Sequence, residues 1–344
     1  MQGLQAGIVG CGVCIPRLRI KREEYQKVWG YSSRWVEEKS VADFDEDTIT
    51  MGVEAASNAL RNTKVDSSEI DALYFTSTSP PYAEKQNAST IATALGCRSD
   101  IATVDVTSST KSGTSALLSC LDFVNSGRGR LGLVVASDCP RSDPMGMLEH
   151  QLGAAAAAMI VGTEQVRGLV EESYSIVSEG LGERFRRDGE GYVTTIDLGS
   201  YHEAVLREVT TSCVGGVMRK LHRSSEDYDF LILGGIDAGK ASEVSRKLGF
   251  EDSKMPLGMV STKVGDAGAA SSLLALSKVL ESASVGQHVI CCSYGAGAGA
   301  DAISLAAGAE VRQAAGARYE DYLAKKEYID YTTYIKIRRI LARH

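Results

Sequence analysis

The chain has 344 residues, 44% hydrophobic and 24% charged, and 37 Lys and Arg against 44 Asp and Glu leave a net charge of −7. This composition excludes disorder as the main state, and the acidic balance argues against nucleic-acid binding, which needs clustered Lys and Arg to neutralise phosphates. The opening MQGLQAGIVGCGVCIP has no basic stretch leading into a long apolar one, and the longest small-apolar run, Ala154 to Val161, is far short of the roughly 18 residues of a membrane span, so a cytoplasmic protein without membrane contact is expected.

Short β-like runs alternate with helical periodicity, which predicts α/β architecture around a largely buried sheet. In the first half, strands are expected at Gly7–Ile15, Ala72–Thr76, Ile101–Val106, Leu131–Ser137 and Ala155–Val161. Helices fit between them. Asp47 and Thr48 cap one through about Arg61, Asn87–Leu95 suits another, and Gly113–Val124 carries Leu117, Leu118, Leu121 and Val124 on one stripe. Most of the eight cysteines sit in apolar runs and read as buried thiols. Cys11 and Cys14 form a C-x-x-C pattern, but no second Cys or His pair stands at finger spacing and the five histidines are scattered, so no metal is expected.

The stretch Leu169–Ser200, rich in Glu, Gly, Ser and Arg, reads as an insertion or surface loops. A helix is expected from about Glu203 to Leu221, a strand at Phe230–Leu233, a short helix through Leu248, an apolar helical block at Gly265–Leu280 and a strand at His288–Ser293. TKSGTSALLSCLDFVNSGRGRLGLVVAS from Thr110 and GDAGAASSLLALSKVLESASVGQHVICCS from Gly265 share one plan: glycine-rich start, apolar helix, glycine turn, buried strand. A small-residue strand follows each block, which suggests two similar halves packed face to face and divided near Arg167, residues 1–166 and 167–344. The charged tail from Arg318, with Tyr328, Tyr331, Tyr334 and a basic end (Lys336, Arg338, Arg339, Arg343), is expected to be tied down against its own fold or a partner.

Glycine-rich helix starts leave backbone N–H groups pointing at any negative group placed there. Two occur at equivalent points of the halves, Thr110–Thr114 and Val264–Gly268, and a third glycine-rich loop, SYGAGAG, begins at Ser293; together they outline one site. The alternative is that these glycines only permit close packing of helices on a sheet. No G-x-G-x-x-G or Walker-type pattern stands between strand and helix, which disfavours nucleotide phosphates. Lys111 and Lys263 either bind an anion or simply support the helix starts; a buried Lys263 would need Asp266 as counter-group.

Eight segments in order, GCGVCIPRLRI with VWG, DEDTITMGVEAASNAL, SPPYAEKQNASTIATALG, TKSGTSAL, RKLGF, VGDAGAASSLLAL, SYGAGAGADA and YIDYTTYIKI, resemble the thiolase superfamily, specifically archaeal-type 3-hydroxy-3-methylglutaryl-CoA (HMG-CoA) synthases. The resemblance covers nearly the whole chain and implies a thiolase fold: two pseudo-equivalent βαβαβαββ halves in αβαβα layers. In that family a cysteine at the start of the central helix attacks the acetyl thioester; Thr110 stands there in this chain. A thiol titrates near 8.5 and is readily activated, whereas a threonine hydroxyl is a poor nucleophile without a dedicated base. Thr78 occupies the place of the family's acid/base glutamate. The carbonyl-polarising histidine, sixteen residues before the end of the R-x-L-G-F block, becomes Gly234, and the oxyanion-pocket asparagine falls at Lys263.

Losing nucleophile, acid/base and carbonyl polariser together implies a catalytically degenerate site. The pattern is similar to the non-catalytic synthase-like subunit of bacterial phloroglucinol acetyltransferase complexes, which carries K-S-G-T-S-A-L after a non-cysteine residue. The resemblance implies a structural or regulatory subunit of an acyl-CoA thiolase or acyltransferase complex. Its expected partners are a thiolase-like catalytic chain and a small zinc-ribbon/OB-fold chain, with this chain a homodimer within a hetero-oligomer. No cofactor is expected on this chain, a coenzyme A thioester being handled within the complex. The alternative is an active HMG-CoA-synthase-like or ketoacyl-synthase-like acyltransferase using Thr110 or another group; Cys120 lies nearly three helical turns, about 15 Å, further along.

Overall fold

The computed structural model describes residues 5–146, 148–178, 183–196, 198–308 and 316–338. Arg339 and Arg343 of the tail, and parts of the Leu169–Ser200 stretch, lie outside the described residues. The chain opens with β1 (Gly7–Cys14), β2 (Leu18–Lys21), α1 (Arg22–Trp29) and β3 (Glu38–Val41). Next, α2 (Thr48–Thr63) starts where the sequence sets it: Asp47 accepts from the backbone of Ile49 and Thr50 in a capping box. The first half continues through β4 (Ala72–Ser77), α3 (Asn87–Ala94), β5 (Ala102–Thr107), α4 (Ser112–Asn125), β6 (Gly132–Asp138) and β7 (Ala155–Gly162).

The second half contains β8 (Gly168–Ile176), α5 (Ser200–Lys220), β9 (Phe230–Gly234), α6 (Ala238–Leu248), α7 (Ser261–Val264), α8 (Ser271–Ser282), β10 (His288–Gly295) and β11 (Gly299–Ala307). The chain closes with α9 (Tyr319–Ala324), β12 (Glu327–Tyr328) and α10 (Tyr331–Ile337).

Nine strands join in the order β5-β4-β6-β7-β1-β8-β11-β10-β9. Read outward from the β1/β8 contact, each side runs two antiparallel pairings and then parallel ones. That central contact is short, pairing only Gly7 with Leu169 and Ile8 with Gly168. The two wings turn toward each other around α4 and α8. Leu117 and Cys120 of α4 and Leu273 and Leu276 of α8 share one core with inward residues of β1, β6, β7 and β11. On the far side of one wing, Ala55, Ala56 and Ala59 of α2 cover Leu73, Phe75, Leu133 and Val135. Outside the other wing, Cys213, Val214 and Val217 of α5 cover Leu231, Leu233, Ile290 and Cys292. The result is five layers, helix, sheet, helix, sheet, helix. The central strands are buried on both faces, so β6 alternates between two cores and reads in sequence as one hydrophobic run, while β5 at the sheet edge is partly exposed.

Two expectations need correction, and one element was not expected. Residues 168–176, read as the start of surface loops, form β8 at the centre of the sheet; Glu171, Glu172 and Ser173 hid it, because the strand's polar side chains bind Arg223, Lys220 and Ser304 rather than solvent. The Gly265–Leu280 helix starts only at Ser271, after a 3-10 turn at Gly268–Ala270; Gly265 before the turn and Gly268 at its start both take positive φ. A small sheet, β12-β2-β3, had no sequence signal at all. It receives the tail: Tyr331 and Tyr334 are buried with Leu18, Ile20, Tyr25 and Val41, so the tail is tied to its own fold. Among the described residues no helix is long and apolar enough to cross a membrane.

Candidate active site

Parallel strands β4 and β5 end side by side, and the chain leaves β5 through a sharp turn into α4. Ser108 takes φ 74 there, a left-handed conformation uncommon outside glycine, and redirects the chain so that Ser109, Thr110 and Lys111 lead into the helix. Thr110 is 8% exposed, and its Oγ1 donates to the Tyr294 carbonyl at 3.1 Å. One turn on, α4 touches the entry to α8 so closely that a Cβ on Gly113 would stand 2.3 Å from the Ala269 carbonyl. The three glycine-rich segments therefore do converge. Thr110, Asp266, Tyr294 and Ala296 line one cavity of about 230 Å³. A larger one, about 480 Å³, is bounded by Ser77, Thr78, the end of β5 and residues 184–186, and the two meet at Thr110, Arg184 and Ala296.

Of the four positions singled out in the sequence, Thr78 and Thr110 share the larger cavity. The Thr78 backbone N–H and Oγ1 donate to Asp138 at 2.8 and 3.0 Å. Asp138, fully buried, also accepts from the Ser77 and Ser79 hydroxyls and the backbone N–H groups of Ser79 and Ala269. Burial pushes its carboxyl up while these donors hold it down. With both oxygens occupied, Asp138 ties β6 to the Ser77–Ser79 turn and to the entry of α8. Gly234 ends β9, and a Cβ there would sit 1.9 Å from Ser272 Oγ; Ser272 fills the volume a side chain would need, and it is the neighbouring Gly235 that borders the smaller cavity.

Lys263 and Lys111 are both committed elsewhere. Lys263 points outward, 43% exposed and paired with Glu37, and it lines neither cavity. Asp266 is not its counter-group: the Asp266 carboxylate binds Arg184, the Gly268 N–H and the Ser271 hydroxyl. Lys111 reaches across to β11, where its Nζ lies 3.0 and 3.1 Å from the two Asp301 oxygens, so it supports the helix start instead of offering charge to a ligand.

Among the described residues no cysteine lines either cavity that meets Thr110. Burial pushes the Cys11 thiol up to about 11 and those of Cys120 and Cys291 up to about 12, so none is a ready thiolate. Cys11 and Cys14 pack into cores on opposite faces of β1, which rules out a shared ligand. Sequence reasoning missed Glu183, Arg184 and His202, which line the smaller cavity. Tyr294 Oη donates to Glu183 at 2.6 Å, and burial, followed by this carboxylate, raises the phenol. No helical or strand period marks residues 183–196, and only the fold brings them over Thr110.

No model of a known protein family matches the chain. It is 34% identical over 337 residues to the hydroxymethylglutaryl-CoA synthase of Pyrococcus horikoshii, covering 97% of this chain and 96% of that one. The corresponding protein of Methanopyrus kandleri is 34% identical over 350 residues, 98% of each chain. Among solved structures, MvaS in complex with 3-hydroxy-3-methylglutaryl coenzyme A superposes with a TM-score of 0.86 at 20% identity, over 97% of this chain and 92% of that one. The 3-oxoacyl-[acyl-carrier-protein] synthase III of Aquifex aeolicus gives 0.78 at 19% identity, over 88% and 99%. At these identities the structures establish the thiolase fold.

Proposed function

Because the chain belongs to the hydroxymethylglutaryl-CoA synthase family, we propose that it is an acyl-CoA-dependent acyltransferase of that type, with the thioester carbonyl placed over Thr110. The observation that carries this reading is the position of Thr110, buried on the sharp turn into α4 where two cavities meet. If Thr110 is acylated, its Oγ bonds to the carbonyl carbon, the C–S bond breaks, and the hydroxyl proton passes through a base to the departing sulfur, so that coenzyme A leaves as the thiol. The Tyr294 carbonyl that now receives this proton in a hydrogen bond cannot serve; His202, on the wall of the smaller cavity, is the imidazole the chain offers.

A second reading is favoured by the filled positions. Threonines at 78 and 110, the saturated Asp138 and Ser272 packed against Gly234 suit a subunit that holds a thioester for another chain's nucleophile. On that reading the chain resembles the phloroglucinol acetyltransferase subunit and joins, as a homodimer, a thiolase-like catalytic chain and a small zinc-ribbon/OB-fold chain. Incubation with acetyl-CoA followed by intact-mass measurement separates the two. A gain of one acetyl group, absent in Thr110→Val, supports the acyltransferase; thioester binding without mass gain, and copurification with a thiolase-like chain, supports the holding subunit.

A further inference from the structure

Residues 183–196, between β8 and α5, wall three cavities at once. Glu183 and Arg184 border the smaller one, Arg184, Phe185 and Arg186 the larger, and Arg186, Gly191 and Val193 a third of about 360 Å³ that also touches Ser79 and Pro81. None of residues 183–196 is buried, and none belongs to a hydrophobic core of the described residues. Bonds inside the segment make it a unit: Phe185 and Thr194 exchange backbone hydrogen bonds at 2.9 and 2.8 Å, and Glu190 accepts from Arg186 and Arg187. Its ties outward are polar. Tyr294 Oη donates to Glu183 at 2.6 Å, Arg184 pairs with Asp266, Arg186 Nη2 donates to the Thr78 carbonyl at 3.2 Å, and the Val193 N–H donates to the Arg141 carbonyl at 2.7 Å. A segment bonded within itself and without apolar anchors opens more readily than the sheets it lies on.

Arg184 sets how readily. Its side chain is 14% exposed, and Nη1 is bound to the Asp266 carboxylate at the entry to α8. Its Nη2 is buried, closed off from solvent, and has no hydrogen-bond partner among the described residues. The closed form therefore combines a charge-assisted bond with an unsatisfied buried donor, and lifting the segment returns that donor to water. The two effects oppose each other, so the closed form is favoured and yet poised to open.

We propose that residues 183–196 are a lid that lifts from Thr110 as one body, and that the Arg184–Asp266 pair is its latch. Lifting it joins the cavities that it now divides at Arg184 and Arg186. Closure over a bound thioester rests on the acyltransferase reading above; there the lid shuts water away from Thr110 and the carbonyl beside it.

The test is hydrogen exchange of the full chain, read amide by amide by electron-transfer fragmentation mass spectrometry. A lid that moves as one body breaks the Val193 bond to Arg141 and keeps the Phe185–Thr194 pair, so Val193 should exchange faster than Phe185 and Thr194. Arg184→Gln should speed Val193 by about tenfold or more, the equivalent of a charge-assisted hydrogen bond, and leave Phe185 and Thr194 unchanged, with Arg184→Lys between. Coenzyme A at about 100 times its Kd, measured by titration calorimetry, should slow Val193 by about a hundredfold. Equal exchange of all three amides in the wild type means local unfolding and overturns the lid, a comparison that stands even if Arg184→Gln does not fold. An unchanged Val193 in folded Arg184→Gln overturns the latch. Coenzyme A that binds without slowing Val193 overturns closure over the ligand. Absence of coenzyme A binding overturns the thioester reading instead, and the exchange of the unliganded chain still decides the lid.

Discussion

Asp301→Ala tests what holds the helix start in place. The Asp301 side chain is 3% exposed on β11 and receives Lys111 Nζ at 3.0 and 3.1 Å, Ser115 Oγ at 2.7 Å, Ser175 Oγ at 2.8 Å and Thr114 Oγ1 at 3.1 Å. Removing one member of a buried, hydrogen-bonded ion pair costs roughly 3–5 kcal/mol, because the other charge is left without compensation. Lys111 is 18% exposed and can recover some hydration, which puts the expected loss near the lower bound, about 3 kcal/mol. An unfolding entropy of about 2.1 cal/mol/K per residue over 344 residues is about 0.7 kcal/mol/K, so Tm should fall by about 4 °C. Thermal melts followed by circular dichroism at pH 7 supply the measurement. The paired replacement Lys111→Met with Asp301→Leu removes both charges and should regain most of that loss. A Tm for Asp301→Ala within about 1 °C of the wild type refutes the argument, as does a double variant less stable than the single one.

Gly234→Ala drives a Cβ into Ser272 and should lose about 1–3 kcal/mol in denaturant unfolding, with Ser272→Gly in the same chain restoring most of it. Tyr331→Phe deletes the 2.9 Å hydrogen bond to Glu149 and should cost about 1–2 kcal/mol, whereas Tyr331→Ala also opens the packing with Tyr25 and Trp29 and should cost about 3–5 kcal/mol, both read from urea midpoints. His150, buried and stacked on Tyr25, is held down to about 3 by burial, with Lys39 and Arg22 adding repulsion. The unfolded chain then binds the extra proton between pH 6.5 and 3, so stability falls as pH drops through that window, by about 2 kcal/mol at pH 5; in His150→Phe the loss between pH 7 and 5 should shrink by that amount.

The elements were legible where one rule governed them. β6 and β7 are apolar on both faces and showed as plain hydrophobic runs, and α2 announced its start through the Asp47 capping box. β8 failed that test because its exposed-looking glutamates are satisfied laterally by Arg223 and Lys220, a pairing no local window contains. The β12-β2-β3 sheet is built from segments some 300 residues apart, and its Tyr-rich partner helix is apolar only once Glu149 and Lys39 have answered its hydroxyls. At the site, Thr110 and Thr78 were readable through family resemblance. Arg184 and His202 were not, since one comes from the irregular residues 183–196 and the other from the first turn of α5, and only the whole fold brings both to the cavity that Thr110 lines.

Two buried carboxylates hold the site's shape. Asp138 ties the Ser77–Ser79 turn to the entry of α8, and Asp301 ties Lys111 and the first turn of α4 to β11, so each buried carboxylate joins elements from both halves of the chain around Thr110. Neither carboxylate is a reacting group in any reading of the site. The two cavities are walled from behind by charges whose hydrogen bonds are made within the fold. The framework around Thr110 is thereby held independently of the residues that line the two cavities. The question of activity therefore rests on Thr110 and the residues that line the smaller cavity with it, His202 and Arg184 among them, rather than on the framework.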